Sequence, residues 1–563
     1  MIAICMQAIA YEACKEIIEV MRGKQPLIIQ TLDKFATELG TRFSTIPDER
    51  LLAVIYALQM RTYRAPESSG SSIPEHLLRE IASVCKACGG KDGATSSPGS
   101  HPQSQTQSNR YQYQLARDLD PQSSNAPKTL GELGQRLKGW RLLMESMVDL
   151  HTLVIKLEDA SDKLMEMPLE ELEMPCQAPT CPDGPDTVFI ERLGADVDVV
   201  RRACSSSRRF SIIGSDGQKR TFLLQQVNQQ LAPPQSEERI WQLLRASNSV
   251  LSMHPESRRR GLSFHAPRTA AVLPSGRLIE DDPSSVVYID AYETYCARYG
   301  REPDAAVLYF KSACSKIEED DLTARREAYD YITNEMVTEN VFSQYIYKTQ
   351  IENSRVAWVF KRQFTLSTAL SAVACYSLRL TGRSPSKMLV SKSKGELMNT
   401  DLTTHYNDRL LLEDRLQREK VPFRLTRNMM AFIGKQGFEG AFVGAAVAAA
   451  QGLQQERSPL PSMLALFFRD DILSFAQRRL QLRSVAAVSV PINAQSLETA
   501  TINNLNNCMH RLENMGPRSS VTPPTLHGSI DIANPQSGMR KLIDEAVDPN
   551  NLCQMEPLWQ PWL

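Results

Sequence analysis

The sequence predicts an α+β protein: a helical N-terminal region, a short β-rich stretch, and a larger helical region that runs to the end. Three observations carry this. Near the N-terminus apolar residues recur at spacings of three and four, the period of a helix with one buried face. Between Val188 and Pro274 the vocabulary changes to short β-branched and aromatic runs, VFIERL, FSIIGSDGQKRTFLL and AAVLP, separated by Gly, Asp and Pro. Beyond Val286 two uncharged runs rich in Ala, Ser and Gly, Gln363 to Leu378 and Gly440 to Gln455, read as buried helices. Each holds 16 residues, short of the ~20 apolar residues that a membrane span needs.

The first helical stripe is Ile28, Leu32, Phe35, Leu39 and Phe43. A second helix is expected to start at Pro47, where the missing N–H costs nothing. Asp48 and Glu49 suit the positive end of its dipole, and Leu51, Leu52, Ile55 and Leu58 line its buried face. From Gly89 to Lys128 the composition collapses into Ser, Gln, Asn, Pro and Gly. So few apolar groups cannot offset the entropy of ordering, and a disordered linker is expected. Helical rhythm resumes with Leu130, Leu133, Leu137, Trp140, Leu143, Met147 and Leu150. Ser215-Asp216-Gly217 supplies a hairpin turn, with Gly free to take positive φ. A second polar stretch spans Glu513 to Gln536. In the tail Leu542, Ile543, Ala546, Leu552 and Met555 share a face, and Trp559 and Trp562 add large apolar area. That segment, from Asp531 onward, is expected to dock on the larger lobe.

Composition bounds the function. The 563 residues leave room for roughly two to four domains. Hydrophobic residues at 42% and charged residues at 23% match ordinary globular usage. A formal charge of −1 provides no global field towards nucleic acid or anionic lipid, so any such binding would need a local patch. Arg258-Arg259-Arg260 is the candidate, and its plain reading is a solvated face. Twelve scattered cysteines do not form a disulfide framework and imply a reducing compartment, cytosol or nucleus. Cys85-Lys86-Ala87-Cys88 is a lone C-x-x-C, and Cys176 and Cys181 form a looser pair. Neither supplies the four ligands of a structural zinc, and no metal is expected. The N-terminal MIAICMQAIAYEACKEII lacks a basic n-region and is not a signal peptide.

Five segments, in order, resemble the phosphatidylinositol-3-kinase-related kinases. Gly214-Ser215-Asp216-Gly217 with Thr221-Phe222-Leu223-Leu224 is similar to the family hairpin "GSDG…FLxK". Glu238-Arg239-Ile240-Trp241-Gln242-Leu243-Leu244 resembles its "DERxxQL" helix. Lys420-Val421-Pro422-Phe423-Arg424-Leu425-Thr426-Arg427 is similar to "KVPFRLT", and Gly437-Phe438-Glu439-Gly440 stands where the family has "G-x-E-G". The last residues, Asn551 to Met555 and Trp559 to Leu563, resemble the FATC tail. The match runs from about Phe189 to Leu563. It implies a two-lobed kinase-like fold after FAT-type helical repeats: the end of the FAT-type region (1–88), the linker (89–128), a helical segment leading into the kinase-like domain (129–186), an N-lobe (187–285), a C-lobe (286–530) and a FATC tail (531–563).

Catalysis has to be argued from the site rather than the fold. Phosphoryl transfer needs a cation on the phosphates, metal ligands and an acceptor for the attacking hydroxyl's proton. The resemblance places Gln225 where the active family has its hairpin Lys. Tyr376-Ser377-Leu378-Arg379-Leu380-Thr381-Gly382-Arg383-Ser384-Pro385-Ser386-Lys387-Met388-Leu389 aligns with "Y-x-x-G-x-G-D-R-H-P-S-N-I-L". Gly382 then replaces the base Asp, Ser384 the His, and Lys387 the metal-binding Asn. In Asn399-Thr400-Asp401-Leu402-Thr403, set against "HIDFG", Asp401 survives as a relic of the metal site. Arg277-Leu278-Ile279-Glu280-Asp281 stands for "G-L-I-E-W", so Asp281 replaces the aromatic that would stack on adenine.

Within the family this pattern resembles the TRRAP-type branch, which keeps the fold without the catalytic set. Met555-Glu556-Pro557-Leu558-Trp559-Gln560-Pro561-Trp562-Leu563 is similar to that branch's ending. Leu278 to Ser285 and Leu130-Gly131-Glu132-Leu133…Leu137-Lys138-Gly139-Trp140 are also similar to it. The resemblance implies a pseudokinase without cofactor or metal. It further implies a nuclear scaffold in SAGA-type and NuA-type histone acetyltransferase complexes, whose partners are their protein subunits and transcription activators, not a specific nucleic acid sequence or a membrane. It also implies a much larger protein of which this is the C-terminal end, with Met1 expected to be a truncation point. The alternative from the residues is an active ATP-dependent kinase with displaced groups, Lys387 on phosphate and His405 as base.

Overall fold

A computed structural model describes residues 8–64, 72–89, 102–121, 123, 126–177, 187–202, 205–226, 234–273, 276–315, 322–349, 353–380, 383–412, 420–455, 458–482, 494–516 and 537–563. The chain divides into two compact units. The first comprises Met1–Pro234 with Pro267–Pro283, the second Gln235–Ala266 with Ser284–Leu563. The segment 235–266, counted with the small lobe on sequence grounds, therefore packs with the larger helical unit.

The first unit opens with helices α1 (Ala8–Lys24), α2 (Pro26–Arg42), α3 (Pro47–Arg64), α4 (Glu75–Gly89), α5 (Pro102–Leu119) and α6 (Leu130–Asp149). The start at Pro47 and the burial of Leu51, Ile55 and Leu58 follow the sequence reading. The disordered linker does not. Residues 90–101 lie outside the described residues, but α5 falls within the expected linker and buries Leu115 and Leu119 against α3, α4 and α6. Tyr111, Leu115 and Leu119 recur every four residues, a stripe that the surrounding Gln and Ser conceal. Asp118 completes the junction, accepting from Trp140 Nε1 at 2.9 Å and Arg136 Nη1 at 3.1 Å. In α6 the buried face is Leu130, Leu133, Leu137, Met144 and Val148, whereas Leu143 and Leu150 are exposed.

The region 129–186, expected to be helical, also contributes a strand. Strand β1 (Val154–Lys156) follows Leu153 and adds to the edge of a sheet, and two short helices, α7 (Leu157–Ala160) and α8 (Asp162–Glu166), come after it. A β-branched pair, Val154-Ile155, is the local signal. The other strands are β2 (Ile190–Leu193), β3 (Asp196–Arg202), β4 (Ser205–Gly214), β5 (Lys219–Gln226), β6 (Thr269–Leu273) and β7 (Gly276–Glu280). All pair antiparallel in the order β1-β3-β4-β5-β7-β6, with β2 on β4. The β4–β5 turn is the expected one: Gly217 sits at φ +72°, and Arg220 grips Asp216 through two hydrogen bonds of 2.9 and 2.6 Å. That grip holds the Asp216 carboxyl down at about 2. One face of the sheet carries Phe210, Phe222 and Leu278 against Phe35, Leu39 and Phe43, with Phe43 edge-on to Phe210 at 4.9 Å. Helix α3 is tied to the sheet by a buried ion pair, Arg208 to Glu49 at 2.7 Å.

The second unit is mainly helical. It begins with α9 (Pro234–Met253) and α10 (Pro255–Arg260), then β8 (Ser285–Val287), α11 (Tyr288–Tyr299), α12 (Ala305–Ser315), α13 (Leu322–Tyr331), α14 (Val341–Thr349) and α15 (Ser354–Leu378). Strands β9 (Met388–Ser391) and β10 (Leu397–Asn399) make a small antiparallel sheet with β8. Helices α16 (Arg427–Ile433), α17 (Lys435–Gly437), α18 (Val443–Leu453), α19 (Leu460–Leu482), α20 (Ala494–Met515), α21 (Ser537–Val547) and α22 (Pro549–Leu552) complete it. The two uncharged runs are its centre: α15 is buried almost continuously from Phe364 to Leu378, and α18 packs on it with five buried alanines. No helix among the described residues is long and apolar enough to cross a membrane. The polar stretch from 517 to 536 lies outside the described residues.

The tail docks as expected. Met539, Ile543, Ala546, Leu552, Met555, Trp559, Trp562 and Leu563 are all buried. Arg424 holds it in place. Its guanidinium, itself 5% exposed, donates to the carbonyls of Trp559 (2.6 Å), Gln560 (3.0 Å) and Arg383 (3.1 Å), and to a terminal carboxylate oxygen of Leu563 (2.7 Å). It also lies 4.3 Å from the Trp559 ring centroid, a cation–π contact shielded from water. Asn428 donates to the carbonyl of Trp562, whose ring meets Phe310 at 5.5 Å. Arg424→Ala strands the buried carbonyls of Arg383 and Trp559 and the buried terminal carboxylate of Leu563, and should cost roughly 3–5 kcal/mol. Chemical denaturation measures the loss. Acrylamide quenching should rise as Trp559 and Trp562 become accessible, whereas an unchanged curve would mean that the tail is held without Arg424.

Candidate functional site

The positions that the resemblance sets against the family's catalytic residues fall in both units. In the first, Gln225 lies on β5 directly opposite Arg277 on β7. Arg277 donates to Gln225 Oε1 from Nε (3.1 Å) and Nη2 (2.8 Å). The strand pair thus keeps a cation, moved one strand over, with two of its donors engaged by the neutral amide at the family's Lys position. Arg277 is 7% exposed and was not picked out by sequence reasoning as a functional group. Its signal was the exchange of a hinge Gly for a residue that brings a long charged chain into the sheet.

Asp281, just beyond β7, has a structural role. Its carboxylate is 4% exposed and accepts from Arg209 Nε (2.6 Å) and Arg202 Nη2 (3.2 Å). Its backbone N–H donates to the Thr221 carbonyl at 3.0 Å, and Thr221 Oγ1 donates back to the Asp281 carbonyl at 2.7 Å. Where an aromatic would offer a stacking face, this chain has a carboxylate that neutralises two arginines of β3 and β4.

In the second unit Lys387 and Asp401 come together. The 3₁₀ turn Pro385–Lys387 leads into β9, and Asp401 follows β10, so the antiparallel β9–β10 pairing brings the two ends side by side. Thr400 fixes the register, donating to the Lys387 carbonyl from its N–H (2.8 Å) and its hydroxyl (2.9 Å). The Lys387 ammonium then lies 3.4 Å from Asp401 Oδ2. Asp401 takes φ +53°, a left-handed conformation that Asp tolerates better than most residues. Its N–H donates to Glu237 Oε1 at the start of α9. Glu237 is the second group that the sequence reading missed, although it directly precedes the E-R-I-W run.

The remaining positions offer little chemistry. Ser384 Oγ meets Ser386 Oγ at 3.1 Å, and its carbonyl accepts from Lys387 N–H. Gly382 lies outside the described residues. His405 is exposed, and its neighbours Thr404 and Tyr406 both donate to the buried carboxylate of Asp471. Arg379, where the family has Gly, takes φ +52° to end α15. Arg383 is buried and donates to the Pro422 carbonyl at 3.0 Å. Burial pushes its guanidinium pKa down and that of Arg424 to about 9. Among the described residues no cluster of three or more His, Cys, Asp or Glu could hold a metal ion.

Comparison with known proteins assigns this architecture. Residues 233–477 match the family model for phosphatidylinositol 3- and 4-kinase, and residues 540–563 match that for the FATC domain. The chain is 25% identical over 460 residues to the transformation/transcription domain-associated protein of Mus musculus, covering 80% of this chain and 17% of that protein. The chain thus carries phosphatidylinositol 3- and 4-kinase-like and FATC domains and is similar to TRRAP-type proteins. It is also 23% identical over 589 residues to the SAGA complex/NuA4 acetyltransferase complex subunit TRA1 of Saccharomyces cerevisiae, with 98% and 14% coverage. The chain thus spans about a sixth or less of the length of these relatives. A solved structure, the FAT and kinase domain of CtTel1, superposes on 92% of this chain and 34% of that one with a TM-score of 0.52 at 14% identity, which establishes the shared fold.

The Asp281 cluster yields a direct test. Asp281→Asn leaves Arg202 and Arg209 with an amide in place of a buried carboxylate, and roughly 2–4 kcal/mol of stability should be lost. Urea titration of the variant measures it. A cost near zero would mean that solvent takes over both guanidinium groups.

Proposed function

We propose that the chain is the kinase-like end of a catalytically inactive scaffold, a subunit of SAGA- or NuA4-type histone acetyltransferase complexes that receives transcription activators in the nucleus. In this reading residues 1–88 close a FAT-type region, 187–285 and 286–530 are the two lobes, and 531–563 form the tail. Its partners are protein subunits and activators, with no sequence-specific nucleic acid and no membrane. The names of the TRRAP-type relatives support the complex assignment.

One observation carries the inactive reading: the ammonium of Lys387 lies 3.4 Å from the Asp401 carboxylate. Asp401 is the carboxylate at the family's metal-ligand position, and a cation supplied by the chain already partners it. A divalent ion brought to about 4 Å from that ammonium would meet a repulsion of roughly 2–8 kcal/mol between the dielectric of water and an effective value of 20. Gln225 and Asp281 point the same way, since each is engaged in holding arginines within the first unit.

Purified protein should show no magnesium-dependent phosphoryl transfer above background, and Asp401→Ala should leave that background unchanged. Transfer that survives purification and vanishes in the variant would establish a working site instead. Affinity purification from nuclear extract should recover acetyltransferase-complex subunits; recovery of none of them would remove the complex assignment.

A further inference from the structure

The chain crosses between its two compact units three times, after Pro234, after Ala266 and after Pro283. Each crossing is a place where a hinge can form, because a few residues at the ends of elements absorb the backbone rotation. On the side of the second unit all three are tied to one small hairpin, β9–β10. Glu237, three residues beyond the first crossing, accepts the N–H of Asp401, which follows β10. His265, just before the second, has its Nδ1 3.0 Å from Oε2 of Glu396, which leads into β10. Ser284, directly after the third, grips the hairpin turn through side chain and backbone. Its hydroxyl donates to Ser393 Oγ at 2.9 Å and accepts from the Ser393 N–H at 3.2 Å. Its carbonyl accepts from the Lys392 N–H at 3.3 Å, and the pairing of β8 with β9 continues the seam from Ser285 to Val287.

The hairpin in turn rests on α15. The Leu397 N–H donates to Ser367 Oγ at 2.9 Å, and Asn399 Nδ2 donates to Ser371 Oγ at 2.6 Å. At the turn Gly395 takes φ +76°, and a Cβ there would stand 2.6 Å from the Phe360 carbonyl oxygen. Only glycine combines that conformation with so close an approach. Phe360, Ser367 and Ser371 recur at helical spacing and so share one face of α15. The turn is closed on itself, since Ser391 donates its N–H to the Glu396 carbonyl at 2.9 Å and accepts that of Gly395 at 2.8 Å. The three anchors differ in chemistry, and what they share is this one rigid element. We propose that β9–β10 is a conformational clamp: seated on α15, it holds the three crossings at once, so that shifting the hairpin releases them together. Three independent anchors would respond one by one.

Hydrogen–deuterium exchange read by mass spectrometry on the whole chain tests the clamp. Gly395→Val drives a branched side chain at the Phe360 carbonyl and disfavours positive φ, so it displaces the turn. Exchange should then rise at least about threefold in the peptides that carry Glu237, His265 and Ser284 alike, while α18 stays protected. Ser367→Val removes the acceptor of the Leu397 N–H; it should give the same joint pattern, and it decides the matter where Gly395→Val does not fold. Ser284→Ala removes one anchor and leaves the hairpin seated, so exchange should rise around the third crossing alone. A rise in the hairpin variants that reaches fewer than all three crossings would overturn the proposal. Joint release by Ser284→Ala would overturn it too, because the crossings would then share something other than the hairpin.

Discussion

One buried guanidinium organises the second unit. Arg424 places its charge among three backbone carbonyls and the terminal carboxylate of Leu563, and three of these four acceptors belong to the last residues of the chain. The fourth belongs to Arg383, in the loop that resembles the family's catalytic loop. A single side chain from the K-V-P-F-R segment therefore fixes the tail and braces that loop together. Desolvation opposes the charge, and the compensation is geometric: planar donors aimed at fixed acceptors, with the Trp559 ring over the guanidinium. Segments far apart in sequence that resemble the family pattern meet here.

The positions that the resemblance sets against the active family's catalytic groups have partners of their own in this chain. Asp281 neutralises Arg202 and Arg209, Gln225 holds Arg277, and Lys387 pairs with Asp401. Each of these groups has a partner within the fold, so none of these charges is left stranded. Glu237 is engaged as well, since it accepts the backbone N–H of Asp401. At these positions the kinase-like fold is held by local ion pairs and hydrogen bonds.

Much of this was legible in the sequence, and the failures have physical causes. The hairpin at Ser215 to Gly217, the buried helices around Phe364 and Ala446, and the docked tryptophans followed from turn chemistry, low charge and exposed apolar area. The linker reading failed because composition averages over a window, whereas Leu115 and Leu119 need only one side of a helix. Strand β1 was concealed because three residues carry no period, and its stability comes from pairing with β3. Of the site, the replaced positions could be aligned, but their new partners could not. Arg209 lies 72 residues from Asp281, and Glu237 lies 164 from Asp401. Only folding brings such pairs together.

The central claim is that Lys387 takes the place of a metal ion beside Asp401. Electron paramagnetic resonance of Mn²⁺ in the presence of adenosine triphosphate tests it most directly, because free and protein-bound Mn²⁺ nucleotide give different spectra. The account predicts that adding the protein leaves the free signal unchanged. A bound signal that appears with the protein and disappears in Asp401→Asn would contradict it.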